Sequence, residues 1–406
     1  MSEKLTVKNV VNINKSTLSA KDNWSTLKYL DTGNITENQI DTLQIFQKGE
    51  KLPSRAKRKV EKGTIIYSTV RPNQKHFGYF DTHSNDLVVS TGFATLDVID
   101  PRINSKYLYY LLTQNSVISQ LQSIGENSTS SYPSIRPEDI GNLSFVFPDI
   151  DIQNKIADIL TSIDKKIQVN NQINQELEAM AKTLYDYWFV QFDFPDQNGK
   201  PYKSSGGKMV YNQELKREIP DGWGVEKLGD IANITMGQSP KGTSYNEVGE
   251  GMLFFQGSTD FGWRFPVARQ YTTEPSRIAE EDDILLSVRA PVGTLNIADT
   301  RCCIGRGLAA INSKVGANSY IFNVMQDFKK LFDMMNSVGT TFGSITKDDL
   351  YSLQLVYPPN ELLMKFDKSV NSFDREIKNR SRQNQELSQL RDWLLPMLMN
   401  GQVKVE

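Results

Sequence analysis

The sequence contains an internal duplication, and this restricts the chain to architectures that are built from two related halves. Residues 134–143 (SIRPEDIGNL) match residues 344–353 (SITKDDLYSL), which lie 210 residues further along the chain. At the same offset, the tetrapeptide NQEL at 174–177 recurs unchanged at 384–387. Because both matches keep one offset, the segment between them has the same length in the two copies.

Each copy is predicted to be a globular domain followed by a long helix. The stretch 65–72 (IIYSTVRP) resembles 284–291 (ILLSVRAP) at a slightly larger offset, so the globular parts differ by small insertions. A helix is predicted over 105–124, with its counterpart near 319–337. Short β-rich runs that are punctuated by Gly, Pro and Asn indicate an irregular sheet at 64–70, 87–89 and 284–288. The expected fold class is α+β, with two tandem loop-rich domains.

Two rows of residues with seven-residue spacing run along each predicted helix, and they are four residues out of phase. In the first copy the rows are Ile156, Ile163, Asn170, Leu177, Leu184 and Leu160, Ile167, Asn174, Ala181, Trp188. In the second copy they are Phe366, Phe373, Arg380, Leu387, Leu394 and Val370, Ile377, Asn384, Arg391, Leu398. A seam sustained over about four heptads indicates a coiled coil, in which polar seam positions can fix the register. The alternative is that each helix packs only on its own domain.

We expect the two helices to pack antiparallel, related by a pseudo-two-fold axis, so that they separate the globular domains. A helix over 151–188 would be about 55 Å long at 1.5 Å per residue. DNA-binding dimers place their two recognition elements about 34 Å apart, and this design would achieve a similar spacing within one chain. The predicted boundaries are 1–150 and 218–359 for the domains, 151–190 and 360–406 for the helices, and 191–217 for an exposed connector rich in Pro, Gly, Ser and Lys.

Composition excludes several classes of protein. A net charge of −2 argues against non-specific DNA coating but permits local basic patches, such as the one at 48–62, which is equally consistent with a solvated surface. No apolar run has the length of a membrane span. The adjacent pair Cys302 and Cys303 makes a poor disulfide, and neither they nor His76 and His83 predict a metal site. A reducing cytoplasm is expected.

The order of domain, heptad helix, connector, domain and helix resembles the specificity subunits of type I restriction–modification systems along essentially the whole chain. The segments that carry the resemblance are 219–223 (IPDGW), 236–240 (MGQSP), 287–293 (SVRAPVG) and 151–156 (DIQNKI). The first copy departs from the pattern because it has no equivalent of MGQSP near its start.

The resemblance implies that each globular unit is a target-recognition domain that binds one half of a bipartite, asymmetric double-stranded DNA site. It also implies that the helices bind two methyltransferase subunits and that restriction–translocase subunits join this core. The chain itself would have no cofactor, since S-adenosylmethionine, ATP and Mg would belong to the partner subunits.

The candidate DNA contacts in the first copy lie in a polar, proline-containing loop after a predicted strand. Arg suits guanine and phosphate, whereas Asn and Gln suit adenine. The candidates are Ser68, Arg71, Asn73 and Lys75. The hydroxyls of Thr129, Ser130, Ser131, Thr340 and Thr341 are candidates either for phosphate contacts or for turn formation.

The candidate DNA contacts in the second copy include Arg289, since an arginine also follows the corresponding strand there. The others are Gln238, Ser239 and Lys241 in a glycine-flanked loop, together with Gln256, Arg264 and Arg306. For Arg71 and Arg289, the competing interpretation is a structural arginine that pairs with a local carboxylate or carbonyl.

Two other functional classes compete with DNA recognition. A self-contained methyltransferase or nuclease is disfavoured, because the tetrapeptide at 357–360 (YPPN) has the wrong order for a methyltransferase motif and no phosphate-binding loop is present. A coiled-coil scaffold would explain the helices but not two related loop-rich domains. The aromatic stretch 185–194 predicts either the closure of a core at the helix end or a docking surface for a methyltransferase subunit.

Overall fold

The structure is a computed structural model that describes residues 4–19, 21–83, 85–128, 131–337 and 344–405. The candidate hydroxyls of Thr129, Ser130, Thr340 and Thr341 lie outside this part. The chain forms two compact units: unit 1 comprises 1–167 with 386–406, and unit 2 comprises 168–385. Among the described residues, no helix combines the length and the apolar character that crossing a bilayer requires.

Among its described residues, unit 1 contains twelve short strands, four short α-helices and the first part of a long helix, the later part of which belongs to unit 2. The strands are β1 (Lys4–Thr6), β2 (Val11–Ile13), β3 (Thr26–Leu30), β4 (Ile35–Thr36), β5 (Gln39–Ile40), β6 (Gln44–Gln47), β7 (Ala56–Lys59), β8 (Ile65–Ser68), β9 (Phe77–Tyr79), β10 (Leu87–Ser90), β11 (Phe93–Val98) and β12 (Ser144–Val146). The helices are α1 (Val7–Val10), α2 (Ser105–Leu112), α3 (Asn115–Glu126), α4 (Pro137–Gly141) and α5 (Ile150–Tyr185).

Two four-stranded sheets form the globular part of unit 1. Their strand orders are β2-β11-β8-β9 and β6-β3-β10-β7, and β3 pairs parallel with β10. The single helix predicted over 105–124 is divided at Thr113 and Gln114. The buried Gln114 side chain donates to the Leu111 carbonyl at 3.1 Å, which satisfies a terminal acceptor of α2 and stabilises the break.

The described part of unit 2 contains thirteen further strands and the remaining helices, the last of which ends in unit 1. The strands are β13 (Met209–Asn212), β14 (Arg217–Pro220), β15 (Gly224–Lys227), β16 (Ala232–Met236), β17 (Tyr245–Asn246), β18 (Met252–Phe255), β19 (Tyr271–Thr272), β20 (Ile278–Ala279), β21 (Ile284–Ser287), β22 (Leu295–Ile297), β23 (Cys302–Ile304), β24 (Leu308–Ser313) and β25 (Gln354–Tyr357). The helices are α6 (Leu228–Ile231), α7 (Asn318–Ser337), α8 (Lys347–Tyr351) and α9 (Asn360–Met399).

The sheets of unit 2 repeat the strand orders of unit 1. The order β16-β24-β21-β22 corresponds to β2-β11-β8-β9, and the order β19-β18-β23-β20, extended at one edge by β17, corresponds to β6-β3-β10-β7. A parallel pair lies at the same place in both copies, as β3 with β10 and as β18 with β23. The predicted duplication and α+β class are therefore confirmed at the level of topology.

The long helices α5 and α9 run antiparallel within each unit. In unit 2, Asn170 contacts Asn384, whereas Tyr185, further along α5, packs on Phe366, which is earlier in α9. In unit 1, Asp164, which is earlier in α5, accepts a hydrogen bond from Arg391, which is later in α9, so the helices have the same antiparallel direction there. The predicted antiparallel coiled coil is therefore observed in both units, and the alternative of separately packed helices is wrong.

A buried polar layer interrupts the seam between the helices in unit 2. The side-chain amide of Asn170, which is fully buried, donates to Gln383 and Asn384 at 2.8 Å each. Its carbonyl oxygen accepts from the Arg380 guanidinium at 3.1 Å. A shift of one helix against the other would leave these groups buried without partners, so the layer specifies the register.

The aromatic stretch at the end of α5 closes the core of unit 2, as the simpler of its two interpretations predicted. Its buried members are Tyr185, Trp188, Phe189, Phe192 and Phe194. The segment after it, which was expected to be an exposed connector, is mostly exposed or half-buried, and its last part enters the hairpin of β13 and β14. In addition, Tyr202 stacks on Phe194 with ring centroids 4.6 Å apart. Aromatic burial orders this segment in spite of its polar composition.

Candidate functional site

The ends of several strands of unit 2 meet at one edge of its two larger sheets. The backbone N–H of Gln238, which follows β16, donates to the carbonyl of Ile304 at the end of β23 at 3.0 Å. The N–H of Gly305 donates to the carbonyl of Phe255 at the end of β18 at 2.9 Å. Loops that are distant in sequence are thereby tied into one surface.

Three residues predicted from the sequence are in contact within this surface. The side-chain amide of Gln256 donates to Ser239 Oγ at 2.8 Å. The backbone N–H of Arg306 also points to Ser239 Oγ, at 3.3 Å. Ser239 therefore connects the loop after β16 to the loop after β18 and to the turn between β23 and β24, and it limits the movement of all three.

Glycine residues allow the backbones of these loops to approach closely. A Cβ atom at Gly237 would lie 2.2 Å from the carbonyl oxygen of Gly305, and one at Gly305 would lie 2.9 Å from Gln256 Cα. Both distances are too short for a side chain, and backbone atoms cannot move aside cheaply. The glycine-flanked loop predicted at 237–242 is therefore a rigid support for the polar residues that it carries.

The exposed side chains of this surface are positively charged or polar. Arg289, Arg306 and Gln238 are exposed, and Lys241 approaches Glu274 only at 3.7 Å. Within the described residues, no carboxylate lies within ion-pair distance of Arg289 or Arg306. Guanidinium groups without an internal partner can donate to phosphate oxygens or to the base edge of guanine. We call the edge formed by Gln238, Ser239, Lys241, Gln256, Arg289 and Arg306 the unit 2 surface.

Arg264 does not belong to this surface. Its side chain is only 6% exposed, and its guanidinium donates to Glu178 at 3.0 Å and to Asp374 at 2.7 Å. It also lies 3.9 Å from the centroid of the Phe322 ring. Two buried ion pairs and a cation–π contact occupy the donors that a DNA base would need, so we assign Arg264 to the structural interpretation.

In unit 1, a sharply turned loop after β8 carries the candidates that were predicted from the sequence. Arg71 has φ +48° and Lys75 has φ +56°, on either side of the 3₁₀ turn Pro72–Gln74. Left-handed conformations are uncommon for these residue types and concentrate at functional sites. Arg71 and Asn73 are exposed, and Arg71 lies 5.8 Å from the ring centroid of Tyr132.

The corresponding loops of the two copies are built alike, but their arginines are not equivalent. Ser68 Oγ donates to the carbonyl of Val70 at 2.9 Å, as Ser287 Oγ donates to that of Arg289 at 2.8 Å. Val70 bridges Ser134, and Arg289 bridges the corresponding Ser344. Arg289 therefore matches Val70 rather than Arg71 in backbone position, although an arginine follows the same strand in both copies, as expected. Ser68, at 1% exposure, supports the loop.

Lys75 is engaged inside unit 1. Its ammonium pairs with Glu37, which also accepts from Arg391 at 3.4 Å. Burial would raise the pKa of Glu37, but the hydrogen bond and charge of Lys75, together with Arg391, outweigh it and hold this pKa below its usual value. Lys75 is therefore less available to DNA than Arg71 or Asn73.

Sequence reasoning did not select as DNA contacts two arginines that lie at matching places in the copies, although one of them, Arg55, belongs to the basic patch at 48–62. Arg55 immediately precedes the edge strand β7, and Arg277 immediately precedes the edge strand β20. Both arginines are exposed. The backbone carbonyl of Arg55 accepts from the N–H of Thr91, and that of Arg277 accepts from the N–H of Ile304, at 2.9 Å each. The signal that could have found them is an arginine directly before a strand in each copy.

The structure places the two cysteines in a buried strand and His76 against a backbone carbonyl. Cys302 and Cys303 lie in the buried strand β23, and burial raises the pKa of Cys302 to about 12, so the thiol stays protonated. His76 hydrogen-bonds the Ile35 carbonyl through Nδ1. In the part of the chain that the structure describes, no group of three or more potential ligands could hold a metal ion.

Comparison with known proteins places the chain among relatives of one kind. It is 29% identical over 413 residues to the MjaX specificity subunit of Methanocaldococcus jannaschii, covering 98% of this chain and 93% of the relative. It is 24% identical to the type I restriction enzyme HindI specificity subunit of Haemophilus influenzae, covering 92% and 94%. The fold resembles the type I restriction–modification S subunit of M. genitalium, with a TM-score of 0.59, 16% identity, and coverage of 98% and 95%.

The sequence model of one protein family, the type I restriction modification DNA specificity domain, matches this chain twice, at residues 2–179 and 220–389. Each match begins in a globular part and ends within a long helix. The two matches follow the internal duplication, and together they cover most of the sequence. The chain therefore belongs to the family of type I restriction modification DNA specificity domains and carries two copies of that domain.

Proposed function

We propose that the chain is the DNA sequence-specificity subunit of a type I restriction–modification complex and performs no chemistry itself. In this proposal the domains at 1–150 and 218–359 each recognise one half of a bipartite, asymmetric site in double-stranded DNA. The relatives support this proposal, since they are named specificity subunits. We also propose that the complex works in the cytoplasm.

One observation carries the assignment of the DNA-binding surface. Each copy presents an exposed arginine on a strand-end loop that is held by the same serine hydrogen bond, Ser68 in unit 1 and Ser287 in unit 2. A side chain on a rigid, well-supported loop can discriminate between bases, whereas a mobile one contacts phosphates without sequence preference. Nine of the eleven predicted residues remain candidates, namely Arg71, Asn73 and Lys75 in unit 1 and the six residues of the unit 2 surface, whereas the buried Ser68 supports its loop.

The proposal includes partner subunits that perform the reactions. Two methyltransferase subunits would bind the long helices and carry S-adenosylmethionine. Restriction–translocase subunits would join them and carry ATP and Mg. The length of the helices supports this arrangement, because α9 extends for 40 residues, about 60 Å at 1.5 Å per residue, and offers a surface beyond that needed by the globular parts.

The decisive experiment is to map methylated adenines in cells that carry this chain together with its methyltransferase partner. The expected result is one motif of two short half-sites separated by a spacer of constant length, lost when the chain is deleted. Exchanging the domain at 218–359 for that of a relative should change one half-site only. A motif that persists without the chain, or methyl transfer by the purified chain alone, would contradict the proposal.

A further inference from the structure

Arg264 connects the globular part of unit 2 to both long helices. It lies in the loop between β18 and β19, and its two terminal nitrogens bind Glu178 of α5 at 3.0 Å and Asp374 of α9 at 2.7 Å. Asp374 also accepts from Ser319 Oγ of α7 at 2.7 Å. One side chain therefore fixes the globular part against two helices at a single buried point.

Unit 1 has a corresponding connection, but there the arginine lies on a long helix instead of in the globular part. Arg391 of α9 binds Asp164 of α5 at 3.1 Å and Glu37 of the globular part at 3.4 Å. Asp164 also accepts from the hydroxyl of Tyr110, which is in α2, at 2.6 Å. The two long helices and the globular part of unit 1 are therefore also connected at one half-buried point.

The aspartates of the two connections occupy equivalent positions in the duplication. Asp164 and Asp374 are 210 residues apart, which is the offset of the repeat. Each accepts from an arginine and from a hydroxyl of the adjacent globular part, Tyr110 in unit 1 and Ser319 in unit 2. The residues around the two aspartates differ between the copies. In both, however, the aspartate links an arginine and a hydroxyl of the globular part to the long helices.

Stability alone is a weak reason for such an arrangement. Burying charged groups has a large desolvation cost, and a buried ion pair is often no more stabilising than well-packed apolar residues of the same size. What a guanidinium held between two carboxylates provides is a directional connection, because its donors are planar and fixed in angle. Apolar contacts would permit sliding or rotation at similar energy.

We propose that Arg264 and Arg391 are positioning residues that fix the angle at which each recognition domain stands on the helix pair. Because that angle decides where each DNA-binding surface meets the duplex, these residues restrict the spacer length that the protein accepts. In unit 1 the connection continues through Glu37 to Lys75, in the loop that presents Arg71 and Asn73. This inference rests on the proposed function, and it predicts an effect on spacing that is separate from base preference.

The test uses the full chain assembled with its methyltransferase subunits and a DNA library in which spacer length and half-site bases vary independently. Arg264→Met keeps the apolar stem and removes both ion pairs. The ratio of methylation at the preferred spacer to that at spacers one base pair longer or shorter should fall by about 2- to 30-fold, the range for loss of a coupling contact. The half-site bases should stay the same. Arg264→Lys keeps the positive charge but not the planar guanidinium. Its spacer ratio should lie between that of the unmodified protein and that of Arg264→Met.

Arg301→Met is the matched control, because Arg301 is exposed and pairs with Glu280 at 3.1 Å, on the surface rather than between the two helices. It should leave the spacer ratio unchanged. Glu178→Gln removes one arm of the connection at a partly exposed position and gives a second variant if Arg264→Met does not fold. An unchanged spacer ratio in folded Arg264→Met or Glu178→Gln would overturn the inference, as would a change in half-site bases. Absence of any bipartite site for the unmodified protein would instead defeat the proposed function.

Discussion

Replacing Arg289 with alanine tests whether the unit 2 surface reads DNA bases. Arg289 is exposed, and no described carboxylate pairs with its guanidinium, so the substitution should change the free energy of unfolding by less than about 0.5 kcal/mol. A good bidentate contact to a base contributes about 1 to 3 kcal/mol of discrimination. Recognition of one half-site should therefore weaken by about 5- to 150-fold, while the base preference at the other half-site stays the same.

The assay is competitive binding of the assembled complex to the mapped site, to sites with single base changes in either half, and to random DNA. If Arg289 contacts a base, affinity for the cognate half-site falls and the penalty for substitutions at one base pair disappears. If Arg289 contacts a phosphate, affinity falls equally on all DNA, and the slope of log affinity against log salt decreases by about one.

Arg217→Ala is the control for loss of one positive charge. Arg217 is exposed in the hairpin of β13 and β14, and its guanidinium lies 5.6 Å from the ring centroid of Phe192. It should leave both half-site preferences intact. Full discrimination by Arg289→Ala at every position of both half-sites would refute the assignment of Arg289 as a base contact.

Three further predictions concern stability, pH and spacing. Asn170→Ala removes three buried hydrogen bonds and should cost about 2 to 4 kcal/mol in chemical denaturation, against less than about 0.5 kcal/mol for the exposed Gln175→Ala; equal costs would show that the polar layer is not structurally important. Ionised Glu37, held below its usual pKa by Lys75 and Arg391, stabilises unit 1 above its unfolded pKa of about 4.3, and this contribution is lost as pH falls through the lower folded value. Glu37→Gln should therefore lose more stability at pH 7 than at pH 3, and a pH-independent loss would contradict the ion pairs. Inserting one heptad into both long helices at the Asn170 layer adds about 10 Å and should lengthen the accepted spacer by up to about three base pairs, with unchanged half-sites in the methylation map; an unchanged spacer would exclude the helices as the spacing element.

Several features of the fold could be predicted from the sequence because their signals are local and occur twice. The heptad rows of α5 and α9 depend only on side-chain polarity at fixed spacing, and the duplication showed that both helices have matching seams. Their antiparallel pairing followed, as did the buried position of Asn170 and Asn174. The strands β8, β10 and β21 were predicted from short apolar runs that end in polar loops.

The candidate site could be predicted in part, since residues at strand ends are exposed whatever the sheet order. Arg289 was selected because it follows a predicted strand and Gln238 because it lies in a glycine-flanked loop, and both lie at the same edge of unit 2 as Arg306. The contact between Ser239 and Gln256 depends on which strands are neighbours in the sheet, and local sequence does not carry that information. Arg277 was not predicted either, because the position of β20 beside β23 at the sheet edge also depends on which strands are neighbours.

Only the tertiary structure decided which charged residues are internal. Arg264 has the same local appearance as Arg289, a guanidinium in a loop between strands, yet its partners Glu178 and Asp374 are 86 and 110 residues away in the chain. Periodicity determines which face of an element is apolar, but the partner of a polar group is determined by packing between distant segments, because a buried charge is stable only where another segment supplies the opposite charge.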